Sequence, residues 1–416
     1  MRQWEYRHLP DRVRRALRPA YYWLRSWQER IWLRWLWQMS RRAPNPSFFP
    51  ALQNYALSTR AYLQEPCGKN SDALHAYLPI RDETTFEPSS PKTIGYNPLV
   101  HLCVPFNPPL FATLLQDVKV YGDAGDVVTS DRVLLADISF RTAARMWHEK
   151  SEHPLLQFRS PARTIPVRGT AALLTSLYAG SNYFHWMFNA LPRLALLERA
   201  DIPFDDLNFL ANRLHFQVQR EMLSVLQIPL ERIVEMDLAS ALQVDSLWVM
   251  PSFITTGHRR RWVCDWLRAH FLRETPNPKP SRRLFLSRAD AKYRRLANED
   301  EVMEILAPLG FEKIVIGQRS VFEQSALFAQ AQVVVAPHTT TLGNLVFCNP
   351  GTRVIDFMPT NRLRTYMYEL SACMGLDYYY DFAEWNAAPF RAGTNAEDTI
   401  IPLDRLRAML RRIGIA

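Results

Sequence analysis

Residues 312–344 read EKIVIGQRSVFEQSALFAQAQVVVAPHTTTLGN, and the order of patterns in that stretch sets the fold class. EKIVIG (312–317) is a short apolar run rich in β-branched residues and predicts a strand. Ser320-Val-Phe-Glu323 has the capping-box spacing that opens a helix, here to about Ala331. QVVVA (332–336) is a second strand, apolar throughout, of the kind covered on both faces. A strand, a helix and another continuous strand in so short a span predict a parallel sheet with helical crossovers.

The alternation extends both ways. RLFLSR (283–288) and RVIDF (353–357) read as strands, and Asn298-Glu-Asp-Glu301 reads as a capping box for a helix ending at Gly310. Another helix spans about 362–374. Upstream, strands are expected at RVLLAD (132–137), LNFLA (207–211), 232–236 and 247–250, with helices at His185–Arg199, Phe216–Leu226 and 258–273. Residues 51–130 look loop-rich, with short strands such as Leu99–Val104. APNPSFFP (43–50) is a Pro-rich breaker, and TPNPKPS (275–281) is the clearest linker. A last helix, about 403–413, carries Leu403, Leu406, Leu410 and Ile413 on one face and could pack on either domain. These signals divide the chain into an arm (1–42), a first α/β domain (43–274), a second (282–400) and a C-terminal helix (401–416).

Charge is distributed unevenly. The formal net charge is +9, but residues 1–42 hold eleven arginines, no lysine and three acids, a net +8 that leaves +1 for the remainder. A neutral body argues against a nucleic-acid enzyme with a basic groove through its core. Five scattered cysteines (67, 103, 264, 348, 373) without a CxxC pair fit a reduced compartment and no structural zinc. No apolar run is long enough for a membrane span or a signal-peptide core. The body is expected in the cytosol.

Six of the twelve tryptophans also lie in the first 42 residues. Pro19 suits the first turn of a helix running to about Met39. Wound as a helix, this segment puts Tyr21, Leu24, Trp27, Ile31 and Trp35 on one face and Arg25, Arg30 and Arg34 on the other. Trp and Arg on an amphipathic helix suit the headgroup layer of an anionic membrane. A helix packed on the body, or a short nucleic-acid arm, are the alternatives.

The chemistry-bearing residues gather beyond strand ends. His338, Thr339, Thr340, Thr341, Gly343 and Asn344 follow QVVVA. A helix start there could present backbone N–H groups and hydroxyls to a phosphate, or the threonines could simply cap the next helix. Arg288 ends RLFLSR and Arg294 and Arg295 follow it, and their planar forks suit a diphosphate, with a solvated basic loop as the alternative. Glu323 and Gln324 could reach a ribose, although capping already explains Glu323. His185 opens a helix in SNYFHWMFNALPRL (181–194), where it could act as a general base or be a satisfied core residue. GxGxxG, a Walker loop and Asp-x-Asp are all absent.

Taken in order, these motifs resemble glycosyltransferase family 61. The likeness rests on Tyr183-Phe184-His185-Trp186, Leu191-Pro192-Arg193-Leu194, the arginine-rich run from Ser287-Arg288 through Arg294-Arg295 to Asn298-Glu299, Gly310-Phe311, Glu323-Gln324, Pro337-His338 through Asn344, Phe347 and Pro350-Gly351. It covers about 170–360. The sequence departs from the family pattern at Thr339-Thr340, at Gly343, and at Asn189, where many relatives carry an acid. The resemblance implies a GT-B fold, two Rossmann-like domains with parallel sheets facing across a cleft. It implies an inverting, metal-independent transfer from a nucleotide sugar, UDP-linked, with no other cofactor. His185 would be the base. Arg288, Arg294, Arg295, Asn298, Glu323, Gln324, His338, Thr339, Thr340, Thr341, Gly343 and Asn344 would hold the donor. Asn182, Tyr183, Trp186 and Arg193 would lie on the acceptor side. The acceptor would be a capsule, lipopolysaccharide or other lipid-linked glycan at the inner membrane face, reached by the arm, with no nucleic-acid partner. A non-catalytic nucleotide-sugar or glycan-binding protein of the same fold is the alternative.

Overall fold

The computed structural model describes residues 48–49, 54–56, 58–64, 77–80, 92–93, 109–139, 155, 160–161, 164–251, 253, 261–273, 280–292, 294–360, 363–385 and 398–415. The arm 1–42, the Leu99–Val104 strand and most of the 275–281 linker lie outside them. Among the described residues no helix is long and apolar enough to cross a membrane.

The chain forms an α/β structure with two large sheets. The first is built on β1 (Leu110–Tyr121), β2 (Ile165–Leu173), β3 (Asn208–Asn212), β4 (Ile233–Met236) and β5 (Ala241–Val249). Its order is β4-β3-β2-β5-β1, parallel as far as β5 and antiparallel from β5 to β1. The short strands 126–128, 133–135 and 54–56 continue the sheet beyond β1, and 77–80 also pairs with it. The twelve-residue β1 falls in the region read as loop-rich, so the first sheet is mixed rather than purely parallel. β5 also begins well before the strand expected at 247–250.

The second sheet is built on β6 (Arg282–Leu286), β7 (Phe311–Ile314), β8 (Ala331–Pro337), β9 (Arg353–Pro359) and β10 (Asp377–Trp385). Its order is β7-β6-β8-β9-β10, parallel throughout, as the alternation predicted. Residues 399–400 add an antiparallel edge, and 92–93 pair with β10. In both sheets the strand order reverses once, between β2 and β5 in the first and between β6 and β8 in the second. Such reversals open a crevice beyond the strands' carboxyl ends.

The helices needed here are α1 (Pro192–Arg199), α2 (Gln217–Val225), α3 (Arg261–Phe271), α4 (Glu299–Leu306), α5 (Val321–Ala329), α6 (Tyr366–Cys373) and α7 (Leu403–Arg412). The α5 capping box forms as expected: Ser320 and Glu323 bond reciprocally. The box expected at Asn298 does not. The Asn298 side chain donates to and accepts from Ile401 instead, fastening α4 to the segment before α7. α7 packs on the second sheet, where Leu406, Met409, Leu410 and Ile413 join Phe285, Val302 and Ile355.

One apolar cluster runs without a break between the two sheets, from Phe184, Leu194 and Phe209 to Leu284, Leu345 and Tyr380. Polar contacts accompany it. Arg268 of α3 donates to the Val346 and Cys348 carbonyls at 2.9 and 3.0 Å. Glu221 of α2 accepts from the Val321 backbone N–H at 3.0 Å, placing a carboxylate on the N-terminus of α5, where negative charge is favourable.

Candidate active site

His185 follows the carboxyl end of β2. A single helical turn, Tyr183–His185, leads into a π-helical turn, Trp186–Ala190, before α1 begins at Pro192. The expected helix His185–Arg199 is therefore interrupted, and the cause is in the sequence. Pro192 has no N–H to donate and its ring crowds the carbonyl four residues back. Widening the preceding turn relieves the conflict, and Leu191 N–H bonds to the Trp186 carbonyl, five residues earlier.

The interruption sorts the side chains. Asn182 caps the first turn by accepting from the His185 N–H at 3.2 Å. His185 stays half-buried with Nδ1 3.1 Å from Asn189 Oδ1, and its ring touches those of Tyr178, Phe184 and Tyr366. With Nδ1–H donated to the amide oxygen, the ring's lone pair is on Nε2. Trp186 and Arg193, by contrast, are fully buried. Arg193 donates Nη1 to the Leu173 and Thr175 carbonyls and so ties α1 to the end of β2. Burial pulls its guanidinium down to about 10. Tyr183 is also buried, which raises its hydroxyl's pKa. Of the four residues expected on the acceptor side, only Asn182 is not buried, and its side-chain oxygen is engaged in capping.

Across the junction, the Tyr183 hydroxyl donates to Asn344 Oδ1 at 2.7 Å. Asn344 Nδ2 donates to Gln324 Oε1 at 2.9 Å, and Gln324 Nε2 to the Arg319 carbonyl at 2.8 Å. Asn344 and Gln324 are buried, and both are committed to this clasp between the sheets rather than turned toward a ligand. Gly343 lies in the same seam: a side chain there would meet Phe184 and Phe188. Glu323 is occupied with its cap, and Asn298 with Ile401.

The remaining donor candidates gather at the β6–β8 crevice. β6 and β8 pair Phe285 with Val335. Three residues further along each strand direction stand Arg288 and His338. The arginine loop is closed on itself. Arg288 Nε donates to the Arg294 carbonyl, and Arg295 Nε donates to the Ala291 carbonyl at 2.9 Å. Ser287 and the Arg288 N–H both bond to Glu299, which also pairs with Lys313 at 2.6 Å. Arg294 carries a positive φ of 54°. At β8, Thr339 accepts from the Thr341 N–H and contacts its hydroxyl, capping a 3-10 turn over Thr340–Phe347. Thr339 is buried, while Thr340 and Thr341 remain half-buried beside His338.

His338 has a partner the sequence reading missed. Its Nδ1 lies 2.9 Å from Asp356 Oδ2 on the neighbouring β9, and Tyr378 on β10 donates its hydroxyl to the same oxygen at 2.8 Å. Asp356 is completely buried, and beside it Tyr378 is held protonated well above the ordinary tyrosine range, by burial first and by the carboxylate second. A carboxylate behind an imidazole fixes the ring's orientation and balances its charge when protonated. The signal was available: Asp356 is the single acid in the apolar strand RVIDF, and a buried acid requires a partner.

The family model described as Glycosyltransferase 61 matches residues 183–355. Over those residues the chain is similar to glycosyltransferase family 61. No curated protein matches the chain. The family-61 segment opens on the Tyr183 turn, holds His185, the arginine loop and His338, and stops one residue short of Asp356. That similarity supports glycosyltransferase activity, with a sugar donor and an acceptor.

Proposed function

We propose that the chain is a GT-B-type inverting glycosyltransferase that takes its sugar from a nucleotide donor, UDP-linked, bound beyond the carboxyl ends of β6 and β8. The observation that carries this reading is the placement of Arg288 and His338 on either side of the strand reversal in the second sheet. In such a transfer a base takes the acceptor hydroxyl's proton as its oxygen attacks the anomeric carbon, and the nucleoside diphosphate leaves from the opposite face. Negative charge grows on the diphosphate and must meet preorganised donors. Arg288, Arg294, Arg295 and His338 supply them, with the half-buried Thr340 and Thr341 beside them, in a metal-independent site that needs no further cofactor. His185 is the base, through Nε2. Residues 43–274 form the acceptor side and 282–400 the donor side. The acceptor is a capsule, lipopolysaccharide or other lipid-linked glycan at the cytoplasmic membrane face, and the Arg/Trp arm brings the protein to that surface.

Isothermal titration against nucleoside diphosphates and nucleotide sugars, with transfer assays alongside, tests the assignment. One nucleotide should bind. His185→Ala should keep that affinity and lose transfer, whereas Arg294→Ala and His338→Ala should weaken binding. Three variants that bind like the wild type would show the donor site to be elsewhere.

A further inference from the structure

We propose that Tyr178 is a stacking platform for a pyranose ring of the acceptor saccharide, next to His185. The proposal rests on the glycosyltransferase reading above and supplies the acceptor contact that the burial of Tyr183, Trp186 and Arg193 leaves unassigned. The Tyr178 and His185 ring centroids are 5.7 Å apart, and Tyr366 sets its edge against the same imidazole at 6.2 Å. Tyr178 is nevertheless 56% exposed, while its neighbour Phe184 is buried.

The backbone beneath it is unusual. Tyr178 has a φ of 68°, in the left-handed region that bulky side chains rarely adopt. The other described non-glycine residues with positive φ are Asp117, Arg132, Asp201, Gln227 and Arg294, all polar. Strained positions persist where the surroundings fix them, and they concentrate at functional sites. Here the surroundings do fix them. Asn212 accepts from the Ser176 N–H at 2.9 Å, Gln219 donates to the Ala179 carbonyl at 3.0 Å, and Thr175 donates to the Asp123 carbonyl at 2.6 Å. Gly180 lets the turn press against the Arg213 carbonyl, where any side chain would collide. Ser176, at the base of the turn, is buried with its hydroxyl unpaired.

A tyrosine so held presents a flat face with negative potential. The C–H face of a pyranose is apolar and weakly positive, and its hydroxyls project from the rim. A sugar stacked on Tyr178 therefore turns hydroxyls toward the adjacent imidazole, as proton removal by His185 requires.

The test uses the full chain and saturation-transfer NMR with the methyl glycosides of glucose, galactose, mannose and xylose, plus titration with the nucleoside diphosphate panel. Wild type and Tyr178→Phe should saturate the ring C–H protons of at least one glycoside. Tyr178→Ala and Tyr178→Gly should lose that contact by about tenfold in affinity. Nucleotide affinity should stay within about twofold in all of them. Glycine suits the positive φ, so Tyr178→Gly should melt no lower than wild type, which separates lost binding from lost folding. Equal saturation in wild type and Tyr178→Ala overturns the proposal, as does the absence of saturation in wild type. Weaker nucleotide binding by Tyr178→Ala also overturns it, because the platform would then serve the donor's base. If wild type binds no nucleotide, the glycosyltransferase reading falls, and a Tyr178-dependent glycoside signal still upholds the platform.

Discussion

Removing the Asn344 side chain separates a clasp between the sheets from a ligand site. Asn344 is fully buried between Tyr183 and Gln324, themselves 7% and 3% exposed. Tyr183→Phe deletes the 2.7 Å bond and leaves Asn344 Oδ1 without that donor in a buried seam. A lost net hydrogen bond of about 1 kcal/mol plus part of the desolvation of an orphaned oxygen gives a cost of about 2 kcal/mol. Asn344→Ala orphans two groups, the Tyr183 hydroxyl and Gln324 Oε1, and opens a small cavity, so about 3–4 kcal/mol is expected. The double variant should cost less than the two together by about 1–2 kcal/mol, since the second change removes the group the first stranded. Urea unfolding followed by tryptophan fluorescence reads these as midpoint shifts at constant slope. Nucleotide titration on the same samples should give affinities near wild type. The reasoning is refuted if nucleotide affinity drops by an order of magnitude while the unfolding midpoint holds, because Asn344 would then serve the donor.

Three further outcomes are expected. Asp356→Asn should weaken nucleoside diphosphate binding by about tenfold, the worth of one charge-assisted hydrogen bond, and leave nucleoside binding unchanged; equal losses in titrations of the two ligands would mean a merely structural role. Above pH 10 stability should fall. Tyr183 and Tyr378 titrate higher folded than unfolded, so each contributes stability present below the ordinary value of 10.0 and lost above it. Arg193, lowered to about 10 from 12.5, works in the opposite sense over the same range. Two losses against one gain leave about 1.4 kcal/mol lost per pH unit from these groups, to be checked by urea midpoints and tyrosinate absorbance. Finally, deleting residues 1–42 should abolish flotation with anionic liposomes; equal flotation of both forms would end the membrane assignment.

The second sheet was legible because parallel strands are apolar on both faces, and RLFLSR, QVVVA and RVIDF announce themselves without help from distant residues. The placement of two candidate residues was legible for a related reason. Arg288 ends one of those strands and His338 stands just past another, so strand order alone brings them to one edge. What the sequence could not show is which way a polar side chain faces once two sheets meet. Asn344 and Gln324 looked like ligand contacts because they sit beside the His338 loop and the α5 start, yet both point into the seam, where Tyr183, 161 residues away, bonds to Asn344 and Asn344 bonds to Gln324. The Asn298 cap failed likewise, since Ile401, 103 residues distant, offered its backbone pair a better match than the helix start did. The long β1 was missed because its burial pattern is nearly continuous along the first half and alternates only toward the end.

The segment LPRL shows how one residue can set the division of labour at the site. Wound continuously, His185 and Arg193 would be separated by about 800° of rotation, so their side chains would point about 80° apart. Pro192 prevents that continuity, and the wider π turn before it changes the winding between the two side chains. Arg193 is thereby delivered to the carbonyls at the end of β2, where it fixes the strand's exit toward the Tyr178 turn. His185 remains beside Tyr178 and Tyr366, with Asn189 from the π turn itself holding its Nδ1. The amide at 189 orients the ring but carries no charge to balance an imidazolium, whereas Asp356 provides that balance for His338. Two histidines with different supports suit two different tasks. The one backed by an amide is oriented for the proposed proton transfer, and the one backed by a buried carboxylate is held in a fixed orientation for the proposed diphosphate contact.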